Sequence, residues 1–295
     1  MKKTIFTGAG VAIVTPMNPD GSVNYPKFAE MLEFQINGGT DAIIVCGTTG
    51  ESATLSHTEH TKLIDYCVEK VNGRVPVIAG TGSNDTAYSL ELSKEAERSG
   101  VDGMLQVTPY YNKTSQAGLI RHFSYIAERV DVPMILYSVA SRTGVNITPE
   151  TCKELSKCPN IVAIKEASGN ISQIAQIAAL CGDELQIYSG NDDQTVPIMA
   201  LGGLGTISVL SNIMPKEMHD LCALCLDGKF EEARKLQLSL IDIMNKMFCD
   251  VNPIPVKEAM NLMGFGVGEC RMPLAPMSEA NLNAVKEVMK IHSLI

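Results

Sequence analysis

Short apolar runs recur along the whole chain and alternate with longer stretches in which apolar residues return at helical spacing. The short runs predict β-strands, and the longer amphipathic stretches predict helices. Eight strands are expected, at 10–14, 42–45, 75–79, 103–107, 133–137, 161–165, 185–188 and 206–209. The helices expected between them cover 25–37, 57–71, 85–99, 117–130, 149–157 and 171–181.

Capping signals support several of these helix boundaries. Ser56 with Glu59 is a capping box, and Thr148 before Pro149 supplies an N-cap followed by proline at the first helical position. Because strands that alternate with helices need crossover connections, the sheet is expected to be parallel. Eight such strands close a (β/α)8 barrel of the TIM type. An open doubly wound sheet is the alternative, although the first strand-to-helix turn has no dinucleotide signature.

The strand signal stops after Met214, and the remaining patterns are helical. They cover 216–226, 231–248, 255–263 and 279–292. The first is a candidate for the eighth barrel helix, and the others form a helical extension. The predicted organisation is a (β/α)8 catalytic barrel at 1–227 and a C-terminal helical extension at 228–295.

The charge and cysteine content exclude several classes of partner and location. A net charge of −9 argues against nucleic acid or an anionic membrane as a partner. The basic start, Met1 to Lys3, is followed by too short an apolar stretch for a signal peptide, so a cytoplasmic protein is expected. The nine cysteines have no framework spacing, which is typical of reduced, mostly buried thiols.

The strand at 161–165 ends in a lysine, which makes it the first candidate for chemistry. Alternation along a strand places Ile161, Ala163 and Lys165 on one face. Burial disfavours the charged form of an amine, and a desolvated lysine is the usual route to a Schiff base with a carbonyl substrate. The alternative is that Lys165 pairs with a carboxylate at the strand end and has no chemical role.

Other strand ends carry groups that suit the same chemistry, because parallel strands direct their C-terminal ends into one barrel mouth. Tyr137 ends its strand and could move protons during imine formation. The turn from Gly47 to Gly50 offers backbone N–H groups and two hydroxyls, which suit a carboxylate or an oxyanion. Arg142 could hold a second carboxylate. No metal-ligand cluster accompanies these residues in the sequence.

Taken together, these residues carry a resemblance to a known family. Over essentially its whole length the chain resembles the dihydrodipicolinate synthase family of the pyruvate-dependent class I aldolase superfamily. The motifs that carry the resemblance are Gly47-Thr48-Thr49-Gly50-Glu51-Ser52, Thr108-Pro109-Tyr110-Tyr111-Asn112, Tyr137 with Ser141-Arg142-Thr143-Gly144, Ile164-Lys165-Glu166-Ala167, and Asn252-Pro253-Ile254-Pro255-Val256-Lys257. Their double threonine favours this family over the sialic-acid lyases, whose usual motif has a serine in place of Thr48.

The resemblance implies a Schiff-base condensation of pyruvate with L-aspartate 4-semialdehyde, on the route to diaminopimelate and lysine, with no cofactor and no metal. Lys165 would form the imine with pyruvate. Tyr137 would be the general acid/base, in a proton relay with Thr48 and with Tyr111 of a neighbouring subunit. Because that relay needs a partner chain, a homotetramer built as a dimer of dimers is implied.

The resemblance also implies the substrate-binding groups. The Thr49 hydroxyl and amide, with the Ile207 backbone, would hold the pyruvate carboxylate. Gly190, in the Ser189-Gly190-Asn191 turn, is a further substrate-binding candidate. Arg142 would bind the carboxylate of aspartate semialdehyde.

The chain departs from the family's usual pattern at Ser138, Ala140 and Tyr88. The family usually has asparagine and proline around the first two positions, and Ala140 leaves the loop before Arg142 less rigid. Tyr88 stands where lysine-sensitive members carry a glutamate expected to pair with an ammonium group of the inhibitor. Weak or absent inhibition by lysine is therefore expected, unless Glu91, one helical turn further on, compensates. The matching effector-pocket positions are Ala53, His57, His60, Asn84, Tyr88 and Tyr110.

Two other functions are compatible with the same scaffold. The nearer one is another pyruvate-dependent aldolase or lyase of this fold that acts on a sugar acid. The other is a non-catalytic barrel that only binds its ligand. Evidence against it is the joint presence of Lys165, Tyr137, Thr48, Thr49 and Tyr111. His219, Cys222 and Cys225 share one helix face and lack a second ligand pair, which favours packing over metal binding.

Overall fold

The computed structural model describes residues 2–295 and contains a closed barrel of eight parallel strands in chain order. The predicted (β/α)8 TIM barrel is therefore confirmed, and each predicted strand boundary lies within two residues of the observed one. The strands are β1 (Gly8–Ala12), β2 (Ala42–Val45), β3 (Val77–Gly80), β4 (Gly103–Val107), β5 (Met134–Ser138), β6 (Ile161–Glu166), β7 (Gln186–Ser189) and β8 (Gly205–Ser208).

Helices cover the outside of the barrel and continue beyond it. They are α1 (Tyr25–Asn37), α2 (His57–Val71), α3 (Thr86–Ser99), α4 (Gln116–Ala127), α5 (Ala140–Thr143), α6 (Pro149–Leu155), α7 (Ile171–Cys181), α8 (Thr195–Ala200), α9 (Pro215–Leu226), α10 (Phe230–Ser239), α11 (Ile241–Lys246), α12 (Ile254–Leu262) and α13 (Glu279–Ile291). The single helix expected at 231–248 is wrong, because the chain breaks at Leu240 into α10 and α11. The short helices α5 and α8 were not predicted.

The expectation of free, mostly buried thiols is confirmed. Six of the nine cysteines are buried, and all nine are free thiols. Among the helices of residues 2–295, none has both the length and the apolar character needed to cross a membrane.

Aromatic side chains fill the interior of the barrel from its N-terminal side. Phe6, which precedes β1, stacks on Tyr188 of β7 with 4.4 Å between the ring centroids. The Tyr188 hydroxyl donates to the main-chain oxygen of Phe6 at 2.6 Å. A Cβ at Gly10 would lie 3.0 Å from the Phe6 ring, so the glycine makes room for it. The N-terminal side of the interior is therefore closed by packed aromatic rings.

The strand that carries the candidate lysine contains a bulge. Pairing between β5 and β6 shifts by one residue after Ile161, so Val162 is an extra residue in β6. Ile161 packs in the layer between the sheet and the helices, whereas Val162 and Ala163 face the barrel interior. The expectation that Ile161 shares a face with Lys165 is therefore wrong, because a bulge reverses the alternation on one side of it.

A buried ion pair fastens the C-terminal helices to the barrel mouth. Lys257 of α12 donates to Glu51 at 2.8 Å, and both side chains are 2% exposed. The same ammonium group donates to the Glu269 main-chain oxygen at 2.8 Å, and Glu51 also accepts from the Arg271 backbone N–H at 2.8 Å. The Arg271 guanidinium then pairs with Glu59 of α2 and lowers the pKa of that carboxyl to about 2.

We expect Lys257→Met to destabilise the protein by about 3–5 kcal/mol, because it leaves the Glu51 carboxylate buried without its counter-charge. Adding Glu51→Gln should recover part of that loss, since the uncompensated charge is then removed. The measurement is the midpoint and slope of urea unfolding for the single and double variants.

Lys235→Met is the matched control for the buried pair. Lys235 pairs with Glu231 at 2.8 Å on the surface, with side chains 66% and 70% exposed. Exposed pairs contribute roughly 0–1 kcal/mol. Equal losses in the Lys257 and Lys235 variants would contradict a structural role for the buried pair.

Candidate active site

A cavity of about 360 Å³ lies where the barrel strands end. It holds the lysine, the tyrosine, the threonine turn and the arginine predicted from the sequence, together with residues of the C-terminal extension. Its lining residues are Ala12, Ile44, Gly47, Thr48, Thr49, Leu105, Tyr137, Val139, Ser141, Arg142, Lys165, Ala167, Gly190, Asn191, Val209, Phe248, Asp250, Val251 and Asn252.

The amine of Lys165 and the phenol of Tyr137 are neighbours in this cavity. The two residues are directly paired across β5 and β6. Lys165 is 5% exposed, and its Nζ lies 4.3 Å from the centroid of the Tyr137 ring. A Cβ at Gly190 would approach Lys165 Cε to 3.2 Å and Ala167 Cβ to 2.6 Å, so a glycine is required where the turn after β7 passes them. Backbone pairing and close packing thus hold the two titratable groups together.

The threonine turn after β2 is held from both sides. Thr15 donates its hydroxyl to the Gly50 main-chain oxygen at 2.6 Å, and Glu51 takes the left-handed backbone conformation, with φ of 56°. Thr48 is half-buried and faces the cavity, whereas Thr49 is 3% exposed. The Thr49 hydroxyl oxygen accepts a hydrogen bond from the Asn252 side-chain amide at 3.0 Å.

Arg142 is placed by the short helix α5 at the edge of the cavity. Its Nη2 donates to the Asn252 main-chain oxygen at 3.2 Å. Ser138, one of the two departures near this loop, accepts from the Ile147 backbone N–H at 3.3 Å. Ala140 opens α5 and gives the loop helical backbone. The arginine is therefore supported by the chain on both sides of the cavity.

The cavity wall carries more positive than negative groups. Its lining contains the basic residues Lys165 and Arg142 and the acidic residue Asp250. Because the whole chain has a net charge of −9, this local excess of basic residues stands out against the background. A small anion such as a keto acid is the kind of ligand that such a site attracts.

Two buried carboxyl groups lie behind the cavity wall. Burial raises the pKa of Asp192, while hydrogen bonds from the backbone N–H groups of Leu210 and Val209 and the charge of Lys165 act in the opposite direction. Burial likewise raises the pKa of Glu166, which accepts hydrogen bonds from the neighbouring Ser168. Glu166 belongs to one of the quoted motifs but was given no role there, and Asp192 was not singled out from the sequence because a carboxyl beside a loop has no distinctive spacing.

Two of the predicted site residues lie outside this lining. Tyr111 is 92% exposed and has a left-handed φ of 70°. Ile207 is 1% exposed, and its side chain packs inside the barrel with Tyr188 and other apolar residues. The single chain therefore brings together Lys165, Tyr137 and the threonines, and leaves Tyr111 exposed outside the lining of its own cavity.

A second cavity of about 320 Å³ adjoins the first and contains two of the effector-pocket positions, Ala53 and Tyr110. It shares Thr48, Arg142 and Asn252 with the first cavity. Another effector-pocket position, Asn84, uses its main-chain oxygen to accept a hydrogen bond from the Asn112 amide at 2.9 Å.

The remaining effector positions cluster around His57 of α2. Its ring centroid is 5.8 Å from that of Tyr88, and its Nε2 is 3.2 Å from a Glu95 carboxylate oxygen. Possible ligand atoms of His57, Glu91 and Glu95 lie within 4.8 Å of one another. His60 is buried, and its Nε2 makes a 2.8 Å hydrogen bond with the Gly80 main-chain oxygen. Carboxylates are thus present close to the position where Tyr88 departs from the family pattern.

The C-terminal extension supplies cavity residues for which sequence reasoning gave no role. The mouth is lined by Phe248, Asp250, Val251 and Asn252. These residues are separated from the last strand, β8, by the helices α9, α10 and α11. Asn252 belongs to one of the quoted motifs, which was the available signal. Nothing in its local spacing indicates that it meets Thr49.

Comparisons with known proteins agree with this geometry. The model of the dihydrodipicolinate synthetase family matches residues 5–292. A 4-hydroxy-tetrahydrodipicolinate synthase of Acetivibrio thermocellus is 56% identical over 295 residues and is covered completely, as is this chain.

Solved structures give the same result for the fold. The chloride-inhibited dihydrodipicolinate synthase of Acinetobacter baumannii, complexed with pyruvate, matches with a TM-score of 0.97 and 41% identity, over 99% of this chain and 100% of that one. The enzyme of Cyanidioschyzon merolae with lysine bound matches with a TM-score of 0.96 and 40% identity, over 99% of this chain and 100% of that one.

Proposed function

The chain belongs to the dihydrodipicolinate synthetase family, and we propose that its barrel mouth activates pyruvate as a Schiff base on Lys165. The activity is that of a lyase of the class I aldolase type, which condenses pyruvate with L-aspartate 4-semialdehyde to 4-hydroxy-tetrahydrodipicolinate in the diaminopimelate route to lysine. One observation carries the assignment of the residue: the buried Lys165 amine lies 4.3 Å from the centroid of the Tyr137 ring in a cavity rich in polar groups.

The proposed reaction begins with attack of the neutral Lys165 amine on the keto carbon of pyruvate. Loss of water gives an iminium ion, and removal of a proton from the methyl carbon gives an enamine. The enamine carbon attacks the aldehyde of the second substrate, and that oxygen takes up a proton. The product's own amino group then displaces the lysine amine as the ring closes.

Tyr137 is the proposed acid/base group for these proton transfers. Its phenol can protonate the departing hydroxyl during imine formation and accept a proton afterwards. Thr48, which lines the same cavity, would connect Tyr137 to further donors. The third member of the relay is Tyr111 of a neighbouring subunit, since Tyr111 is 92% exposed on its own chain.

The two carboxylates of the substrates would be held at different places. The Thr49 hydroxyl and amide, the Ile207 backbone and the Gly190 turn are proposed to bind pyruvate. Arg142 lies on the wall shared by the two cavities, where it would bind aspartate semialdehyde. This separation lets pyruvate bind first and leaves a cationic group free for the second substrate.

We further propose a homotetramer built as a dimer of dimers, because the relay needs a tyrosine from a second chain. The division into a catalytic barrel at 1–227 and a helical extension at 228–295 is likewise a proposal. It is supported by the end of the strands at Ser208, although Asn252 reaches back into the mouth. A cytoplasmic location is proposed from the buried, free thiols, which are typical of a reducing compartment.

Trapping with pyruvate and borohydride tests the Schiff base directly. We expect one covalent adduct on Lys165, seen as a mass shift of the intact protein and mapped by peptide analysis. Lys165→Ala should abolish it, and Lys165→Arg should not restore it, because a guanidinium stays charged and cannot form the imine. An adduct on Lys257, which is also buried but paired with Glu51, would overturn the assignment.

The second substrate is tested with the same preparation. Enzyme turnover is measured with pyruvate plus aspartate semialdehyde, and cleavage is measured with sialic acid and with keto-deoxy sugar acids. We expect turnover of pyruvate with aspartate semialdehyde and no cleavage of sialic acid or of the keto-deoxy sugar acids. A pyruvate adduct combined with cleavage of a sugar acid would instead identify the alternative lyase. Absence of both adduct and turnover would indicate a non-catalytic barrel.

Mixing impaired variants tests the shared relay. Tyr111→Phe chains mixed with Lys165→Ala chains should regain turnover as subunits exchange, because some sites then combine an intact Lys165 with a Tyr111 from the partner. Tyr111→Phe alone should lose less turnover than Tyr137→Phe, for which a loss of about 100- to 10,000-fold is expected because a positioned acid/base group is removed. Lys165→Ala alone should be inactive, because it lacks the amine that forms the imine. Subunit exchange is verified by native mass spectrometry.

The matched control mixes Tyr137→Phe with Lys165→Ala. Tyr137 and Lys165 are paired on neighbouring strands of one chain, so no exchange can place both intact groups in one site. This mixture should show no gain. A gain in both mixtures, or in neither mixture despite proven exchange, would contradict donation of Tyr111 by the partner.

Inhibition by lysine is predicted to be weak or absent. A phenol at position 88 carries no charge at pH 7, and a hydrogen bond to a charged group is worth about 1.5–3 kcal/mol, or roughly 10- to 150-fold in affinity. Lysine titration of the initial rate should therefore show stronger inhibition of Tyr88→Glu than of the unmodified chain. The bound lysine in the enzyme of Cyanidioschyzon merolae motivates the measurement.

Glu91→Gln separates the contribution of the neighbouring carboxylate. If Glu91 compensates for Tyr88, the unmodified chain should be inhibited and Glu91→Gln should relieve that inhibition. Strong cooperative inhibition of the unmodified chain that neither Tyr88→Glu nor Glu91→Gln changes would refute both arguments.

A further inference from the structure

We propose that Asn252 is a positioning residue that sets the direction of the Thr49 hydroxyl, so that its proton is donated to the carboxylate of bound pyruvate. The inference rests on the proposed function, since it assumes that Thr49 binds pyruvate. It gives a residue of the C-terminal extension, which lies outside the (β/α)8 barrel, a role in the active site.

The contacts of Asn252 support this role. The residue is 6% exposed and borders both cavities. Its Nδ2 donates to Thr49 Oγ1 at 3.0 Å. Within residues 2–295, this is the hydrogen bond that the Thr49 hydroxyl makes. The Asn252 Oδ1 is buried and meets no donor in the same range, so Thr49 is the group that its side chain engages.

The direction of this hydrogen bond determines what Thr49 can do. A hydroxyl has one proton to donate and two lone pairs that accept. When Asn252 donates to it, the Thr49 proton stays available for another acceptor, and a carboxylate is an acceptor only. If the amide were reversed, Thr49 would donate to Asn252 and would present only lone pairs to the pyruvate carboxylate.

The backbone of Asn252 has a separate partner. Its main-chain oxygen accepts from Arg142 at 3.2 Å, and a change of the side chain leaves that oxygen in place. Substitution of the side chain is therefore expected to affect the pyruvate site selectively. The Arg142 site for the second carboxylate should be affected much less.

The test compares Asn252→Ala with Asn252→Asp, using the pyruvate concentration that gives half-maximal borohydride trapping and the KM of each substrate. The alanine variant loses the donor, and we expect the pyruvate values to rise about 5- to 10-fold. The aspartate variant should raise the pyruvate values further, about 10- to 150-fold. Its carboxylate accepts the hydrogen bond of the Thr49 hydroxyl and repels the carboxylate of pyruvate. The KM for aspartate semialdehyde should change less than about twofold.

Thr49→Val provides the background that isolates the contact. If Asn252 acts through the Thr49 hydroxyl, Asn252→Ala in that background should add less than about twofold to the half-saturating pyruvate concentration. Full additivity of the two substitutions would overturn the proposal. Thermal unfolding of every variant shows whether a loss follows from reduced stability.

Three other outcomes would also overturn the proposal. They are an aspartate variant that binds pyruvate as well as the unmodified chain, equal rises in the KM of both substrates, and a loss of pyruvate binding that merely follows a loss of stability. Failure of the underlying function is distinguishable, because the unmodified chain would then give no pyruvate adduct on Lys165.

Discussion

Closure of eight parallel strands into a barrel is the constraint on which the rest of this structure depends. Each strand then has two covered faces, so apolar and small residues fill the interior and the layer beneath the helices. Phe6 and Tyr188 occupy the N-terminal side of the interior. At the opposite end, where the strands finish, Lys165 and Tyr137 lie in one cavity.

The C-terminal extension completes the site that the barrel begins. Lys257 neutralises Glu51 immediately after the threonine turn, and Asn252 contacts both Thr49 and Arg142. A buried pair of charges is a weak source of net stability, but it tolerates little displacement because either partner alone is costly to bury. The extension is therefore held in register with the mouth, and its loop residues can act as part of the wall.

Charge is distributed so that a small anion can be held by an acidic protein. The chain carries a net charge of −9, yet the cavity wall presents Lys165 and Arg142 with Asp250 as its acidic residue. Asp192 and Glu166 lie behind this wall, and burial raises the pKa of both.

Local patterns accounted for most of the scaffold and for much of the site. The boundaries of α1, α2 and α7 coincide with those predicted, because helical spacing and capping residues are properties of neighbouring positions. Local patterns also pointed to residues at the strand ends. The cavity is lined by Lys165, Tyr137, Arg142 and the two threonines, all of which were named from the sequence. Their roles came from the resemblance to a family rather than from spacing.

The barrel, the order of its elements and the residues at the strand ends could thus be predicted, since each depends on short-range periodicity. Folding in three dimensions added the bulge at Val162 of β6, the helix break at Leu240 and the exposure of Tyr111 outside its own cavity. It also decided that Asn252 meets Thr49, 203 positions earlier in the chain. These features depend on which surfaces come into contact after the barrel closes. Contacts between residues far apart in the chain cannot be predicted from local patterns.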